Sequence, residues 1–405
     1  MTGIPARMIW ALGVTQIIGY GTLYYSFGTL APAMAATFGW SEAWLFGLLS
    51  ASLLVGGLVA PFAGRLADRH GAGQLMGWGS LAATLALVLA ALAPSGIVFA
   101  AGLVAIEVAS AFVLYATAFA ALAQASPREA PRRITHLTLI AGFASTLFWP
   151  ITGALHEMLS WREVYLIYAA TNLLVCVPIH FWLARGQRLR SAGRRDAPAT
   201  VALLPPERQR GTLLLMLAGF ALVGFVSSAV TVHMVPMLSA LGAGAAVTAA
   251  TLLFGPAQVL SRLLNLQFGR GLSQPMLALI GALALPIGLA VLLLGTPWLP
   301  GVAAFAILFG LGNGLYSIVS GTLPLVLFGS VGYGRRLGLI SAARLIASSA
   351  APFAFSLVAG AATTGIAVAA AAAIGVVAVG IFGLLWWVAR APAGDQASRA
   401  LTSEA

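Results

Sequence analysis

Long apolar runs separated by short polar breaks set the rhythm of this chain. A helix needs about 20 predominantly apolar residues to cross the hydrocarbon core of a membrane. Runs of that length fall near 8–30, 44–63, 75–93, 97–122, 134–157 and 163–184, and again near 211–238, 246–268, 275–294, 301–327, 337–358 and 364–389. A polar segment, Arg185 to Arg210, lies between the sixth and seventh. The pattern predicts twelve transmembrane helices in two similar halves. The first six-helix bundle is expected over 1–184, a cytosolic linker over 185–210, the second bundle over 211–390 and a cytosolic tail over 391–405. The first run is too long for the apolar region of a signal peptide and no processing site clearly follows it, so it is expected to be retained.

Composition fits a chain solvated by lipid. Hydrophobic residues make up 60% of the 405 and charged residues 8%, against about 25% charged in a soluble domain. The net charge of +11 comes from 21 arginines and no lysine. If the N-terminus is cytosolic, 18 of the 21 arginines fall in cytosolic segments. They include Arg7, Arg65, Arg69, Arg128, Arg132 and Arg133, then Arg185, Arg188, Arg190, Arg194, Arg195, Arg208 and Arg210, and finally Arg270, Arg335, Arg336, Arg390 and Arg399. One helix more or fewer would put later arginines on the wrong side, so the positive-inside bias supports twelve spans with both termini inside. It also explains the basic charge without nucleic acid, which is not an expected partner. Trp40, Trp44, Trp161 and Trp298 fall at the outer span ends, where interfacial aromatics belong. The single cysteine, Cys176, excludes a disulfide within the chain and leaves a thiolate metal site without partners.

Between the second and third spans the chain reads Gly64-Arg65-Leu66-Ala67-Asp68-Arg69-His70-Gly71. This resembles the signature loop of the major facilitator superfamily and stands at the matching place. The resemblance implies an all-α integral membrane fold of two pseudo-symmetric six-helix bundles. It also implies a gate in which Asp68 and Arg69, on a turn permitted by Gly64 and Gly71, latch the cytosolic side. A carboxylate there can sit against the N-terminus of a helix from the other half. The equivalent second-half loop, Phe268 to Ser273, lacks the acid. Pro150 and Gly153 resemble part of an antiporter motif of the family, but Trp149 stands where that motif has glycine.

The resemblance further implies that helices 1, 4, 7 and 10 line a central cavity. Polar residues stripe three of them at helical spacing: Gln16, Tyr20 and Tyr24; Ser227 and Thr231, with His233 before Pro236; and Asn313, Tyr316, Ser317 and Ser320. Such stripes also serve as packing between helices, the role expected of Ser52, Gly56, Ala60 and Gly64 on the second span. Ionisable residues inside spans are a sharper signal, because each costs at least ~2.5–3.5 kcal/mol to place there. Three stand out: Glu107, Arg262 and Arg344. Glu107 lies about 15 Å along its helix from Ile97, near mid-membrane, where a carboxylate is a candidate proton carrier or the partner of a buried arginine. His233 is a second proton-carrier candidate or a packing residue. Arg344, flanked by Ser341 and Ser348, either lines the cavity or balances Glu107.

Setting Ser261-Arg262-Leu263 against Gly64-Arg65-Leu66 would make Arg262 a loop residue. Counting from the helix starts instead puts Leu266 opposite Gly64 and Arg262 about 12 Å short of Arg270, inside the helix. That depth, together with the Tyr20 to Gly28 stretch, resembles the monocarboxylate and oxalate–formate transporter branch, where a helix-8 arginine pairs with a substrate carboxylate. Two features of that branch are absent: the aspartate four residues earlier is Gln258 here, and the lysine of helix 1 has no counterpart. A guanidinium remains well suited to a carboxylate, which it grips by two parallel hydrogen bonds.

The expected function is secondary active transport by alternating access, with a small organic anion such as a monocarboxylate bound by Arg262, Gln258, Tyr20, Tyr24, Asn313, Tyr316 and Arg344, and with a proton as the coupling ion through Glu107 or His233. The alternative is proton-coupled efflux of an apolar or cationic compound in a pocket of Tyr20, Tyr24, Phe148 and Trp149. A non-transporting sensor would need an output domain, and the longest polar segment is only Arg185 to Arg210. An enzyme is not expected, since there is no metal-ligand cluster, no phosphate loop after a strand and no nucleophile–base arrangement. No cofactor is expected. The remaining expectations are a bacterial inner membrane location and a monomeric state.

Overall fold

The computed structural model describes residues 6–192 and 202–390. Arg194, Arg195, Arg399 and the tail 391–405 lie outside the described residues, as do the side chains of Arg188, Arg190 and Arg270. The described chain is helical throughout, and we number its spans α1 (6–38), α2 (Glu42–His70), α3 (Ala72–Ala91), α4 (Gly96–Ala125), α5 (Ala130–Met158), α6 (161–192), α7 (Pro206–Val232, followed by Met234–Ala240), α8 (Ala246–Phe268), α9 (Gln274–Gly295), α10 (Leu299–Phe328), α11 (Tyr333–Ala361) and α12 (Thr364–Arg390). Eleven are long and apolar enough to cross a membrane. The twelfth is α1, whose helix runs on through a widened π turn at Gly21–Tyr25.

Local chemistry sets the ends. The Ser41 hydroxyl accepts from Trp44 N at 3.2 Å, and Ser160 with Glu163 forms a reciprocal capping box at the start of α6, satisfying amides that have no partner within the helix. Arg162, on the face opposite most arginines, donates to the Ala91 carbonyl at the end of α3 and stacks on Trp161. Trp161 departs from the interfacial role expected of it: it is buried, and its Nε1 donates to Thr37 Oγ1 at 2.8 Å. Trp44 and Trp298 are exposed.

Two buried apolar clusters each stay within one half, one drawn from α1–α6 and one from α7–α12 with Leu204. A third joins the halves near the arginine-rich ends of the helices, packing Met8, Phe119 and Ile134 against Leu325, Tyr333 and Leu337. There α2 and α11 approach almost to backbone contact. A methyl group added to Gly64 would lie 2.1 Å from the Gly334 carbonyl oxygen, and one added to Gly338 would lie 2.3 Å from the Ala60 carbonyl oxygen. Asp68 Oδ1 and Oδ2 accept from Gly334 N at 2.8 Å and Arg335 N at 2.9 Å. The carboxylate thus caps the first turn of α11, an arrangement that stabilises by about 1 kcal/mol. Gln124 of α4 braces the loop, accepting from Ala72 N and donating to the Ala67 carbonyl, both at 2.9 Å. Gly71, at φ +89°, makes the turn between α2 and α3. Arg69 is exposed.

Candidate functional site

Three helices of the first half, α1, α4 and α5, depart from regular α-helical geometry near the tyrosines. In α1 the wide turn adds one residue per turn, which rotates the rest of the helix and brings side chains five apart onto one face. Tyr20, Tyr24 and Tyr25 therefore converge, with ring centroids 6.4 Å apart for Tyr20–Tyr25 and 5.3 Å for Tyr24–Tyr25. The α4 helix breaks at Leu114, in extended conformation, and the carbonyls freed there accept from Gln16 Nε2 (to Val113, 2.8 Å) and Thr117 Oγ1 (to Ala111, 3.2 Å). Tyr115, just past the break, stands 4.6 Å from Tyr20 and stacks on Phe119. The α5 helix breaks at Gly142–Phe143. Beyond that break Ser145 hydrogen-bonds Tyr25, and Trp149 meets Tyr25 edge-on at 5.8 Å. Tyr24 is 47% exposed and Trp149 56%.

Phe148 closes the wall from behind and explains a glycine. A methyl group on Gly21 would lie 2.1 Å from Phe148 Cγ. Gly21→Ala is therefore expected to cost about 1–3 kcal/mol through overpacking, read as a lowered midpoint in a thermal unfolding scan. The pair Gly21→Ala with Phe148→Leu should recover most of the loss.

Opposite this wall stand two arginines. Arg262 lies within α8, well before the helix ends at Phe268, and is 6% exposed. Its Nε donates to Ser317 Oγ of α10 at 3.2 Å, and its guanidinium lies over Gly142, where an added methyl group would be 2.0 Å from Nη1. Its charge acts on Tyr25 and Tyr115. Arg344 of α11 packs its stem on Gly224 of α7, and its charge acts on Tyr20, Tyr24 and Tyr316. Among the described residues the one ion pair is Arg133 with Glu129, so neither guanidinium is balanced by a carboxylate. Two cations of the second half thus lie within electrostatic reach of four tyrosines of the first.

Glu107 lies on the far side of Tyr24, acting on it and on Tyr165. It is buried behind Gly56 of α2, has no ion-pair partner among the described residues and does not balance Arg344. The other candidates are engaged elsewhere. Tyr316 donates to the Phe220 carbonyl at 2.7 Å and Asn313 to the Phe309 carbonyl at 3.1 Å. Gln258 backs onto Gly314, where α8 and α10 nearly touch. His233 has both ring nitrogens occupied, by the Ala229 carbonyl and by Ser356 Oγ at 2.9 Å, and stacks on Phe355. That is a packing arrangement between α7 and α11, away from the arginines.

A seal at one end, arginines of one helical bundle set near tyrosines of the other and an acid capping a helix of the opposite half form a constellation with a known counterpart. The family model of the Major Facilitator Superfamily matches residues 12–352. The chain belongs to this superfamily. Its fold is similar to that of the human organic anion transporter MFSD10 (TETRAN), with TM-score 0.72 and 14% identity over 94% of this chain and 100% of that one. It is also similar to the proton:xylose symporter XylE, solved with 6-bromo-6-deoxy-D-glucose, with TM-score 0.69 and 16% identity over 93% and 95%. At such identities the likeness concerns the fold of the superfamily, and the two relatives carry an anion and a sugar. No curated protein sequence matches the chain.

Sequence periodicity missed Tyr115 and Gln124 and did not place Tyr25 in the wall. Nothing in the apolar pattern marks the breaks that aim the two tyrosines. Gln124 had a weak signal, as a polar residue just past the end of the fourth apolar run and close to the level of the signature loop.

Proposed function

We propose that this superfamily member is a secondary transporter for a small organic anion, held between Arg262 and Arg344 on one side and Tyr20, Tyr24, Tyr25 and Tyr115 on the other. The observation that carries the reading is a buried guanidinium, Arg262, and a half-buried one, Arg344, within membrane-spanning helices and with no carboxylate among the described residues to balance them. Buried charge is costly unless paired, so a bound anion is the natural complement, and its carboxylate can take the forked geometry that arginine offers. We place the arginine-rich face in the cytosol of a bacterium, by the positive-inside bias. The sealed arginine-rich end then corresponds to a conformation closed to the cytosol, one of the two states of alternating access.

Uptake of radiolabelled formate, acetate, oxalate and succinate into proteoliposomes tests the reading. Saturable uptake of at least one, lost on replacing Arg262, is the expected result. Transport of none, with transport of lipophilic cations instead, would favour the second reading, proton-coupled efflux through the aromatic wall with Glu107 as counter-ion. In either reading Glu107 is the proposed proton site, because it is buried without an ionic partner. Glu107→Gln should therefore abolish accumulation driven by a pH gradient while leaving exchange of labelled for unlabelled substrate within about threefold of wild type.

A further inference from the structure

Two wide turns lie side by side in this molecule, one in the middle of α1 (Gly21–Tyr25) and one in the middle of α6 (Asn172–Cys176). A turn with one extra residue leaves backbone groups poorly paired and is uncommon in a helix interior, so a neighbouring pair calls for a cause. The contact between them is a hydrogen bond from Asn172 Nδ2 to Thr22 Oγ1 at 2.9 Å, with the same amide donating to the Tyr168 carbonyl at 2.9 Å. Thr22 in turn donates to the Ile18 carbonyl at 2.8 Å, and Ser26 donates to the Thr22 carbonyl at 2.8 Å. Tyr165 hydrogen-bonds Ser26, and Tyr168 pairs with Thr152 of α5 at 2.6 Å. Tyr165, Tyr168 and Asn172 occupy one face of α6, so a single helix edge grips both sides of the α1 turn. Asn172, Thr22 and Ser26 are all buried, Asn172 at 2% exposure.

The residues between the two grips are the ones the cavity uses. Without the extra residue in its turn, everything past the turn would be rotated by about 100°, and Tyr25 would leave Tyr20 and Trp149. We propose that Asn172, which lies outside the cavity, is a positioning residue for substrate recognition. Through Thr22 it holds the wide turn of α1 that presents Tyr24 and Tyr25 to the anion. The proposal rests on the reading of the cavity as an anion site, but the conformational half of it stands without a ligand.

The test uses the full chain in nanodiscs with Thr22→Val, Thr22→Ser and Asn172→Leu. One measurement is amide hydrogen exchange over residues 20–27 without ligand, and the other is the Kd for oxalate. Thr22→Val and Asn172→Leu should speed exchange in that segment about tenfold and raise the oxalate Kd about fivefold, the size expected for one buried hydrogen bond. Thr22→Ser, which keeps the hydroxyl, should stay near wild type, and the double variant Thr22→Val with Asn172→Leu should be no worse than the more severe single one. Unchanged exchange in Thr22→Val overturns the proposal. So does a Kd that stays at the wild-type value while the unfolding temperature falls, since that marks packing alone. If the wild type binds none of formate, acetate, oxalate and succinate, the anion reading fails, and the exchange measurement alone decides whether Asn172 holds the turn.

Discussion

Arg262→Met is expected to give a protein that unfolds at a higher temperature than wild type and binds substrate at least ~30-fold more weakly. The two effects have one origin. The Arg262 guanidinium is buried with a single side-chain hydrogen bond, to Ser317, and no counter-charge among the described residues. Replacing a poorly compensated buried charge by an apolar side chain of similar length removes a desolvation penalty and commonly stabilises by about 1–4 kcal/mol. The same change removes the cation that an incoming carboxylate would meet. Loss of one partner of a buried charge pair costs about 2–5 kcal/mol, a Kd at least ~30-fold weaker. Arg262→Lys should keep the charge but lose the fork, leaving measurable yet weaker binding. Thermal unfolding with and without oxalate reads both effects in one experiment, because a ligand bound only to the folded state raises the midpoint. Uptake by Arg262→Met at the wild-type rate would remove Arg262 from the site, and a lowered midpoint would show that its charge is better compensated than its contacts suggest.

How far the sequence reaches can be judged from Arg262 and Tyr25. The depth of Arg262 followed from counting residues, because helical rise is constant and the apolar run of α8 starts at a clear break. The same regularity reads off the spans and puts Asp68 one turn from Gly64 and thus at the arginine-rich end of α2. Tyr25 obeys no such rule. Regular helical spacing sets it about 140° from the face of Tyr20, and only the inserted residue at Gly21–Tyr25 brings it round. The insertion is stabilised by Asn172, far away in the chain, so no local window contains its cause. Tyr115 is alike: the break at Leu114 depends on Gln16 taking the freed Val113 carbonyl. Features arising from one helix's own period were legible, whereas those created by a side chain from another helix were not. The aiming of the tyrosines belongs to the second kind.

The second large effect is expected at the opposite end of the cycle. Gly64→Val should prevent the arginine-rich face from sealing, because its Cβ would lie 2.1 Å from the Gly334 carbonyl oxygen, and both groups belong to helix backbones that cannot turn aside. Overpacking of this kind costs about 1–3 kcal/mol or more, enough to move a two-state equilibrium at least fivefold toward the state in which α2 and α11 separate. Asp68→Asn preserves the shape and removes only the charge that caps α11, so its shift should be smaller, near the ~1 kcal/mol of a helix-terminus interaction. Cysteine accessibility measures both, since the one native cysteine, Cys176, is buried and can be replaced by serine. Leu337→Cys, 3% exposed within the seal, should resist a hydrophilic maleimide in the wild-type background and label in Gly64→Val. Trp149→Cys, at an exposed position, should do the reverse. Gly47→Val supplies the control, because a side chain there meets nothing within 4 Å on the same helix α2, and its labelling should match wild type. If Leu337→Cys stays protected in Gly64→Val, the close approach of Gly64 to Gly334 is not what holds this face shut, and the seal would rest on the apolar cluster around Phe119 and Tyr333 instead.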